Sequence, residues 1–281
     1  MRKVCVVAKA SSPEAIATAQ ELADWLRRRG LEVALDESIR RAAQDASAPL
    51  YHLGDPCDLV VVLGGDGTLL SVARNLAGDT PILGVNLGTL GFLTEINRAE
   101  LYPSMVQVLQ GHFETEERSL LDIELRRNGE PPLRYRVLND AVVAKSALSR
   151  IIEISVRVDD HLVARYRSDG VIISTPTGST AYNLSAQGPI LFPRLTVMVL
   201  TPICPHTLSL RPLVVPDSSR VEVTLETQRE EVYLTLDGQE GTTLGFGDSV
   251  RATRSAKTAR LVRISGRTFY DGLRGKLHWG E

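Results

Sequence analysis

The stretch 58-DLVVVLGGDGTLLSVARNL-76 decides the fold of the N-terminal part of this chain. An apolar run over 59–63 stops at two glycines. An acid, a third glycine and a threonine then lead into Leu69, Leu70, Ala73 and Leu76 at helical spacing. A buried parallel strand, a tight turn and a helix start produce that pattern. Gly64, Gly65 and Gly67 put no side chain between the backbone N–H groups and whatever sits above the turn. Phosphate oxygens can therefore approach the positive end of the helix, in a loop that Thr68 completes. Asp66 is the odd member. A carboxylate pushed toward bound phosphates is repelled unless it accepts a proton, holds a hydroxyl or meets a cation, which is the work of a phosphotransferase base or a magnesium ligand. The same residues also suit an ordinary Gly/Asp turn after a strand, because neither G-x-x-x-x-G-K-[ST] nor G-x-G-x-x-G is present.

Working outward, 3-KVCVVA-8 reads as a first buried strand, and Ser12 caps a helix that carries Pro13 in its first turn. Ile16, Ala19, Ala23 and Leu26 give that helix an apolar face before Gly30 ends it. A second strand over 31–35, a weak helical segment over 38–46, a loop over 49–55, the strand 81-PILGVN-86 and a helix over 99–109 continue the alternation. Such alternation predicts a parallel sheet covered on both faces, with ligands beyond the carboxyl ends of its strands. The glycine-rich turns at Gly64 and at 84–91 fall on that edge and face one site.

Past Gly111 the period changes to two. Residues 119–127, 151–160, 161–168, 170–175, 195–201, 220–226 and 231–237 read as strands, with Asp159-Asp160 as a hairpin turn. The expected organisation is an α/β domain over 1–111, a mainly antiparallel β-rich domain over 112–248, and a C-terminal segment, 249–281, that returns to the first domain. Within that segment 269-FYDGLRGKLHWG-280 is a short helix with Phe269, Leu273 and Leu277 on one side.

A chain of 281 residues is long enough for two domains. Thirty-two basic against 34 acidic side chains give no general attraction to nucleic acid or to an anionic membrane, so the partner is small or locally matched. Cys5, Cys57 and Cys204 are an odd, widely spaced set, which favours buried thiols in a reducing compartment over disulfides or a metal cluster. No apolar run approaches membrane-spanning length, and the first residues enter a strand with no signal-like segment, which points to the cytoplasm.

A second polar cluster, 169-DGVIISTPTGSTAYNLSAQGP-189, runs from an apolar strand into small hydroxyl residues and glycine, and Ala181, Leu184 and Ser185 suggest a helix. Thr177, Ser179 and Thr180 can donate and accept hydrogen bonds, and Tyr182 offers an aromatic face with a polar tip. The set suits a nucleotide ribose, phosphate or base; it also suits a Ser/Thr-rich helix cap.

With 64-GGDGTLL-70, 88-GTLGFLT-94, 139-ND-140, 170-GVIISTPTGSTAYNLSA-186, 202-PICPHTLSLRPLVV-215 and 237-DGQ-239 in this order, the chain resembles the NAD kinases over nearly its whole length. GGDGT alone is shared with diacylglycerol and sphingoid-base kinases. The resemblance implies an α/β domain with a parallel sheet, of the NAD kinase/diacylglycerol kinase type, and an antiparallel β-sandwich domain. It implies ATP-dependent phosphorylation of the adenosine ribose 2′-hydroxyl of NAD, with Mg2+ or another divalent cation carried by the nucleotide near Asp66. By resemblance Asp66 is the catalytic aspartate and an NAD contact. Gly67 and Phe92 touch the adenosine side, and Asn139 and Asp140 lie near ribose hydroxyls and adenine. Arg150, Arg167, Asp169 and Gln239 match further dinucleotide positions. Thr177 and the run Thr180, Ala181, Tyr182, Asn183, Leu184 and Ser185 match a binding segment that also meets a neighbouring subunit. A homodimer or homotetramer is implied, with the second domain forming the interface; in this chain 195-LTVMVLTPICPHTLSLRP-212 combines strand-like apolar residues with prolines and a polar end, which suits a subunit contact and equally an internally buried strand.

Two positions depart from the family pattern. Asp140 stands where glutamate is more familiar, and Gln187 interrupts Ala-Gly-Gly-Pro. His206, in a Pro-rich stretch without a nearby acid, suits a structural or subunit-contact role better than catalysis. The absence of H-x-H spacing argues against a tightly held transition metal. The competing readings are a lipid or other small-alcohol kinase, which requires an apolar acceptor groove, and a non-enzymatic NAD(P)-binding protein, which has no use for Asp66.

Overall fold

A computed structural model describes residues 1–43, 49–76, 79–88, 91–207, 209–264 and 266–278. The chain divides into two compact units, Met1–Glu117 with Thr258–Glu281, and Arg118–Lys257.

In the first unit β1 (Lys3–Ala8), α1 (Pro13–Arg27), β2 (Glu32–Leu35), α2 (Glu37–Ala43), β3 (Leu59–Gly64), α3 (Asp66–Asn75) and β4 (Pro81–Asn86) alternate. The four strands are parallel in the order β4-β3-β1-β2. Every residue of β3 is buried, as a central strand with both faces covered requires. Each fully buried Val or Leu there is worth about 1.5–3 kcal/mol relative to exposure. The Ser12 side chain accepts from the Ala15 N–H at 3.2 Å, and Pro13 opens α1, whose face of Ala15, Ala19, Leu22, Ala23 and Leu26 packs onto the sheet. Gly30, at φ +79°, takes the left-handed turn that ends the helix region.

Register sets where the site lies. Ala8 is level with Leu63, and Gly64 with Asn86, so Lys9, Gly65 and Leu87 all leave the sheet at one edge. The chain steps from β1 to β2 on one side and returns to place β3 and β4 on the other. The reversal between β1 and β3 opens a crevice at the carboxyl ends. β5 (Ile96–Asn97) pairs with β4, and α4 (Leu101–Leu109) buries Leu101, Met105 and Val108 in the same core.

The second unit is built from β6 (Glu114–Arg126) from Arg118 onward, β7 (Leu133–Val137), β8 (Asp140–Lys145), β9 (Ile152–Val158), β10 (His161–Ser168), β11 (Gly170–Ser174), the single turn α5 (Tyr182–Ser185), β12 (Val197–Ile203), β13 (Leu213–Pro216), β14 (Val221–Leu225), β15 (Val232–Leu236), β16 (Glu240–Leu244) and β17 (Ser249–Arg263) as far as Lys257. One sheet runs β13-β12-β11-β8-β15-β16, antiparallel throughout. Opposite it lie β10-β9-β14-β17 and the β6-β7 pair. Alternating inward residues, such as Val221, Val223 and Leu225 from one sheet and Val232, Leu234 and Leu236 from the other, form one sandwich core. Asp159 and Asp160, at φ +48° and +70°, make the β9–β10 hairpin turn.

The last stretch of the chain rejoins the first unit, where Arg260 and Leu261 of β17 pair in parallel with Pro81 and Ile82. There α6 (Phe269–Leu277) follows a capping box in which Thr268 and Asp271 satisfy each other's backbone N–H groups. Leu273 is its buried residue, with Phe269 and Leu277 half-buried.

Several elements differ from expectation. The helix predicted over 38–46 is α2, and 44–48 lie outside the described residues. Over 181–185 there is only one helical turn, preceded by a 3-10 turn at Thr177–Thr180, because the hydroxyl side chains bond the local backbone instead of leaving it to a longer helix. β7, β8, β13, β16 and the 15-residue β17 have no predicted counterpart. The cysteines are all free, but only Cys5 is fully buried; Cys57 is half-buried and Cys204 exposed.

Candidate active site

Asp66 opens α3 at the carboxyl edge of the first unit's sheet. Its Oδ2 accepts the Phe92 N–H at 2.7 Å, and its Oδ1 accepts the N–H groups of Leu93 and Thr94 at 3.2 and 3.1 Å. The Thr94 hydroxyl lies 3.2 Å from Oδ1, and the Lys276 ammonium 4.0 Å from Oδ2. Successive backbone N–H groups of one turn thus cradle a carboxylate whose side chain is still 28% exposed. Gly91 makes the cradle possible, since a Cβ on it would fall 1.7 Å from Asp66 Oδ1. Asn86 supports the turn, accepting from the Gly88 N–H at 2.7 Å and donating to the Thr94 hydroxyl at 3.2 Å.

Gly64, Gly65, Gly88 and Gly91 line one cavity of about 370 Å³ with Asp66 and Lys9. Both glycine-rich turns therefore face the same space, although Thr89 and Leu90 lie outside the described residues. The glycines serve different ends. Gly65 has open space where a Cβ would stand, whereas a Cβ on Gly64 would meet the Thr68 hydroxyl at 2.5 Å, and one on Gly84 the Leu69 side chain at 2.5 Å. Gly64 and Gly84 are packing glycines; Gly65 leaves the approach to the helix start clear. Gly67 is exposed in the first turn of α3. Phe92, Glu95, Arg263, Arg267 and Lys276 border a second cavity of about 430 Å³.

In the second unit the candidate residues gather at the start of β8. The Asp237 carboxylate accepts the N–H groups of Leu138, Asn139 and Asp140 at 3.1, 2.7 and 3.1 Å. Thr175 donates to the Leu138 carbonyl at 2.6 Å, and Ser174 to the Asn139 carbonyl at 3.2 Å. Gly178 packs so closely on that strand that a Cβ would lie 2.2 Å from the Asn139 carbonyl oxygen. Asn139 and Asp140 are thereby fixed from both sides. Asp140 is 3% exposed, and burial, reinforced by the Asp237 charge, pushes its carboxyl up to about 7. The Asn139 carboxamide oxygen is buried without a hydrogen-bond partner in the protein. A buried acceptor in that state fits a ligand donor, such as a ribose hydroxyl or an adenine amino group.

The 177–185 segment divides in two. Ser179 donates to the Pro176 carbonyl at 2.6 Å and accepts from the Leu191 N–H at 3.0 Å. Asn183 donates to the Ser179 and Pro189 carbonyls at 3.0 Å each and accepts from Thr201 at 2.6 Å. Both are buried braces of the loop. Tyr182 is 45% exposed, and its hydroxyl is raised by partial burial and then by Cys204, Asp169 and Asp140, charges that put it in the field of the same cluster. Thr177 is buried, with its hydroxyl 3.4 Å from Arg118; Thr180, Ala181 and Leu184 are half-buried and Ser185 exposed. Asp169 pairs with Lys145 at 3.7 Å. Arg167 turns to Glu153 at 3.2 Å, Arg150 is exposed with its N–H on Glu230, and Gln239 is exposed in the β15–β16 turn. His206 is exposed and donates its backbone N–H to the Arg167 carbonyl at 2.8 Å.

Asp237, Thr175 and Lys276 are the residues that reading the sequence did not single out. Asp237 lay within the quoted DGQ, and its left-handed φ of +50° is a turn signal; Lys276 carries no local signal. Among the described residues no three or more His, Cys, Asp or Glu side chains converge as metal ligands. Asp66 already accepts four hydrogen bonds, and among the described residues it has no group of partner carboxylates such as a protein-held metal site requires.

A family model described as the ATP-NAD kinase N-terminal domain matches residues 4–113, and one described as the ATP-NAD kinase C-terminal domain matches 138–264. The NAD kinase of Syntrophotalea carbinolica is 46% identical over 100% of both chains, and that of Geobacter sp. (strain M21) 48% identical over 100% of both. Among solved structures, yeast NADH kinase complexed with NADH superposes with a TM-score of 0.90 at 25% identity, covering 100% of this chain and 89% of the other. An NAD kinase from Archaeoglobus fulgidus in complex with ATP gives 0.76 at 26% identity over 98% of both. Matched by both domain models in sequence and by relatives along its whole length, this chain belongs to the NAD kinase family.

Proposed function

We propose that the chain transfers the γ-phosphoryl group of ATP to the 2′-hydroxyl of the adenosine ribose of NAD, releasing NADP and ADP. The observation that carries the chemistry is Asp66, a carboxylate held at the mouth of a glycine-lined cavity by three backbone N–H groups. The ribose oxygen attacks the γ-phosphorus, the bond from that phosphorus to the bridging oxygen of ADP breaks, and the hydroxyl proton passes to Asp66. The cradle fixes the direction in which its remaining lone pairs point, so orientation is set before substrate arrives. Gly65, Gly67 and Thr68 face the donor phosphates at the start of α3.

Asn139 and Asp140 receive the ribose and adenine side, supported by the unpaired Asn139 oxygen and by the shielding of Asp140 from water. Tyr182, Thr177 and Phe92 add stacking and polar contacts, while Arg150, Arg167, Asp169 and Gln239 serve the outer parts of the dinucleotide. The shorter reach of Asp140 relative to glutamate is taken up by a small shift or a bridging water. Magnesium, or another divalent cation, arrives with the triphosphate as part of the donor substrate. The enzyme works in the cytoplasm as a homodimer or homotetramer. Exposed Phe192, Leu195 and Val214, the last on the edge strand β13, support an interface around 195–212. No described helix is long and apolar enough to cross a membrane.

Incubation of the pure protein with Mg-ATP and NAD is expected to form NADP and ADP in equal amounts. ADP release without NADP, or phosphorylation of a lipid alcohol in place of NAD, would overturn the assignment.

A further inference from the structure

A carboxylate that must work among phosphates needs a nearby cation to offset the repulsion. Within the first unit the structure supplies one from the far end of the chain. Lys276, in the last turn of α6, places its ammonium 4.0 Å from Asp66 Oδ2 and 4.8 Å from the centre of the Phe92 ring. The side chain is 29% exposed and borders both cavities, including the one lined by Gly64, Gly65 and Asp66. Lys9 lines that cavity from the end of β1. The other acid there, Glu14, is already paired with Arg98 at 2.6 Å.

The position of Lys276 is built in from behind. Glu95, the residue after the Asp66 cradle, is 3% exposed and binds the returning chain three times. It accepts from Arg263 at 2.6 Å, from the Ile264 N–H at 2.9 Å and, through its carbonyl, from Arg267 at 3.1 Å. Leu273 then buries in the first unit, and the Lys276 ammonium makes a cation–π contact over the Phe92 ring. The turn that orients Asp66 therefore also anchors the helix that carries Lys276.

We propose that Lys276 is a ligand of the donor's terminal phosphate. On triphosphate binding its ammonium bridges Asp66 and the γ-phosphoryl oxygens, and it follows the negative charge that moves between them as the phosphorus changes partners. Lysine suits this task as a compact charge with three donors on a mobile stem. The inference rests on the phosphotransferase reading of the same site.

The test compares wild type, Lys276→Met and Lys276→Arg in NADP formation, in direct NAD binding, and in competition by inorganic tripolyphosphate. Lys276→Met is expected to lower kcat about 10²-fold, the scale of removing one preorganised donor to developing charge, and to weaken tripolyphosphate about tenfold. NAD affinity should stay within about twofold and thermal unfolding should be unchanged. Lys276→Arg should recover a tenth or more of the lost rate. Unchanged kcat in Lys276→Met overturns the proposal, and so does a loss in which NAD and tripolyphosphate binding fall together without rescue by arginine. If the wild-type protein makes no NADP, the phosphotransferase reading fails. The tripolyphosphate comparison still judges Lys276 in that case: equal competition in the two proteins overturns its role as a phosphate ligand.

Discussion

In the first unit Asp66 stands half-exposed, wrapped by N–H donors from one turn and faced by an ammonium. In the second unit Asp140 stands almost wholly buried, with another carboxylate, Asp237, as its electrostatic neighbour. The two acids are made for opposite tasks. Backbone donors and a nearby ammonium fix the direction of the Asp66 carboxylate while leaving it in contact with solvent. Removal of water, with the Asp237 charge behind it, pushes the Asp140 carboxyl up to about 7, so its charge responds to the surroundings near neutral pH. Asp237 shows how the second arrangement is tolerated, because its own charge is answered by three backbone N–H groups.

The largest expected effect strikes the support of Asp66. Glu95→Ala removes the buried side-chain acceptor of Arg263 and of the Ile264 N–H and should cost about 3 kcal/mol in chemical denaturation, the lower end for breaking a buried pair, since Arg263 retains Glu116 at 2.8 Å. A change below about 1 kcal/mol would mean that the cradle does not depend on the returning chain. Asp66→Asn keeps the shape but lowers basicity and removes charge; kcat should fall roughly 10²-fold or more, with NAD affinity much less affected. Near-normal turnover at saturating substrates across pH would remove the distinction between the two acids altogether.

The second unit is tested by pH. Because Asp140 titrates near 7, well above an ordinary carboxyl, the folded protein holds a proton between about pH 4 and 7 that the unfolded chain has released. Its contribution to stability is therefore full below that window and declines as pH rises through it. NAD binding should move the other way, because the ionised carboxylate is the better acceptor for ribose hydroxyls. Affinity at pH 6 is expected to be about tenfold weaker than at pH 8, and Asp140→Asn should flatten the profile. A wild-type profile that is flat over this range would place ionised Asp140 outside the ribose contact. The smallest effect concerns Gln187, held at φ +64° where glycine is at ease. Gln187→Gly should raise stability by about 0.5–1 kcal/mol in thermal unfolding without altering kcat.

The same contrast explains what could be read in advance. β3 and its turn are legible because strand burial, glycines and Asp66 are contiguous in sequence and each carries a periodic or steric signal. β17 is illegible because polar Arg, Lys, Ser and Thr residues fill most of its length, and its inward positions include only a few apolar residues such as Val250 and Ala252. Strand β8 hides behind the Asn139-Asp140 pair, which draws attention as chemistry before it is noticed as the start of a strand. The hydroxyl-rich segment offers donors by composition, but only packing reveals that Ser179 and Asn183 spend theirs on the loop. Lys276 and Asp66 meet across most of the chain, a contact that no window of sequence contains.

The discontinuity of the first unit has a bearing on how the protein is made. Its opening portion, Met1–Glu117, leaves the ribosome early, but the strand end and helix that complete it are translated after the whole of Arg118–Lys257. At about 5–20 residues per second, roughly 10–40 s separate the emergence of Asp66 and its turn from that of Lys276. During that interval the residues of the second unit are all synthesised while the first unit still lacks its final strand end and helix. A chain arrested before Arg263 would carry every glycine of the turn but none of the residues that bind Glu95 from behind.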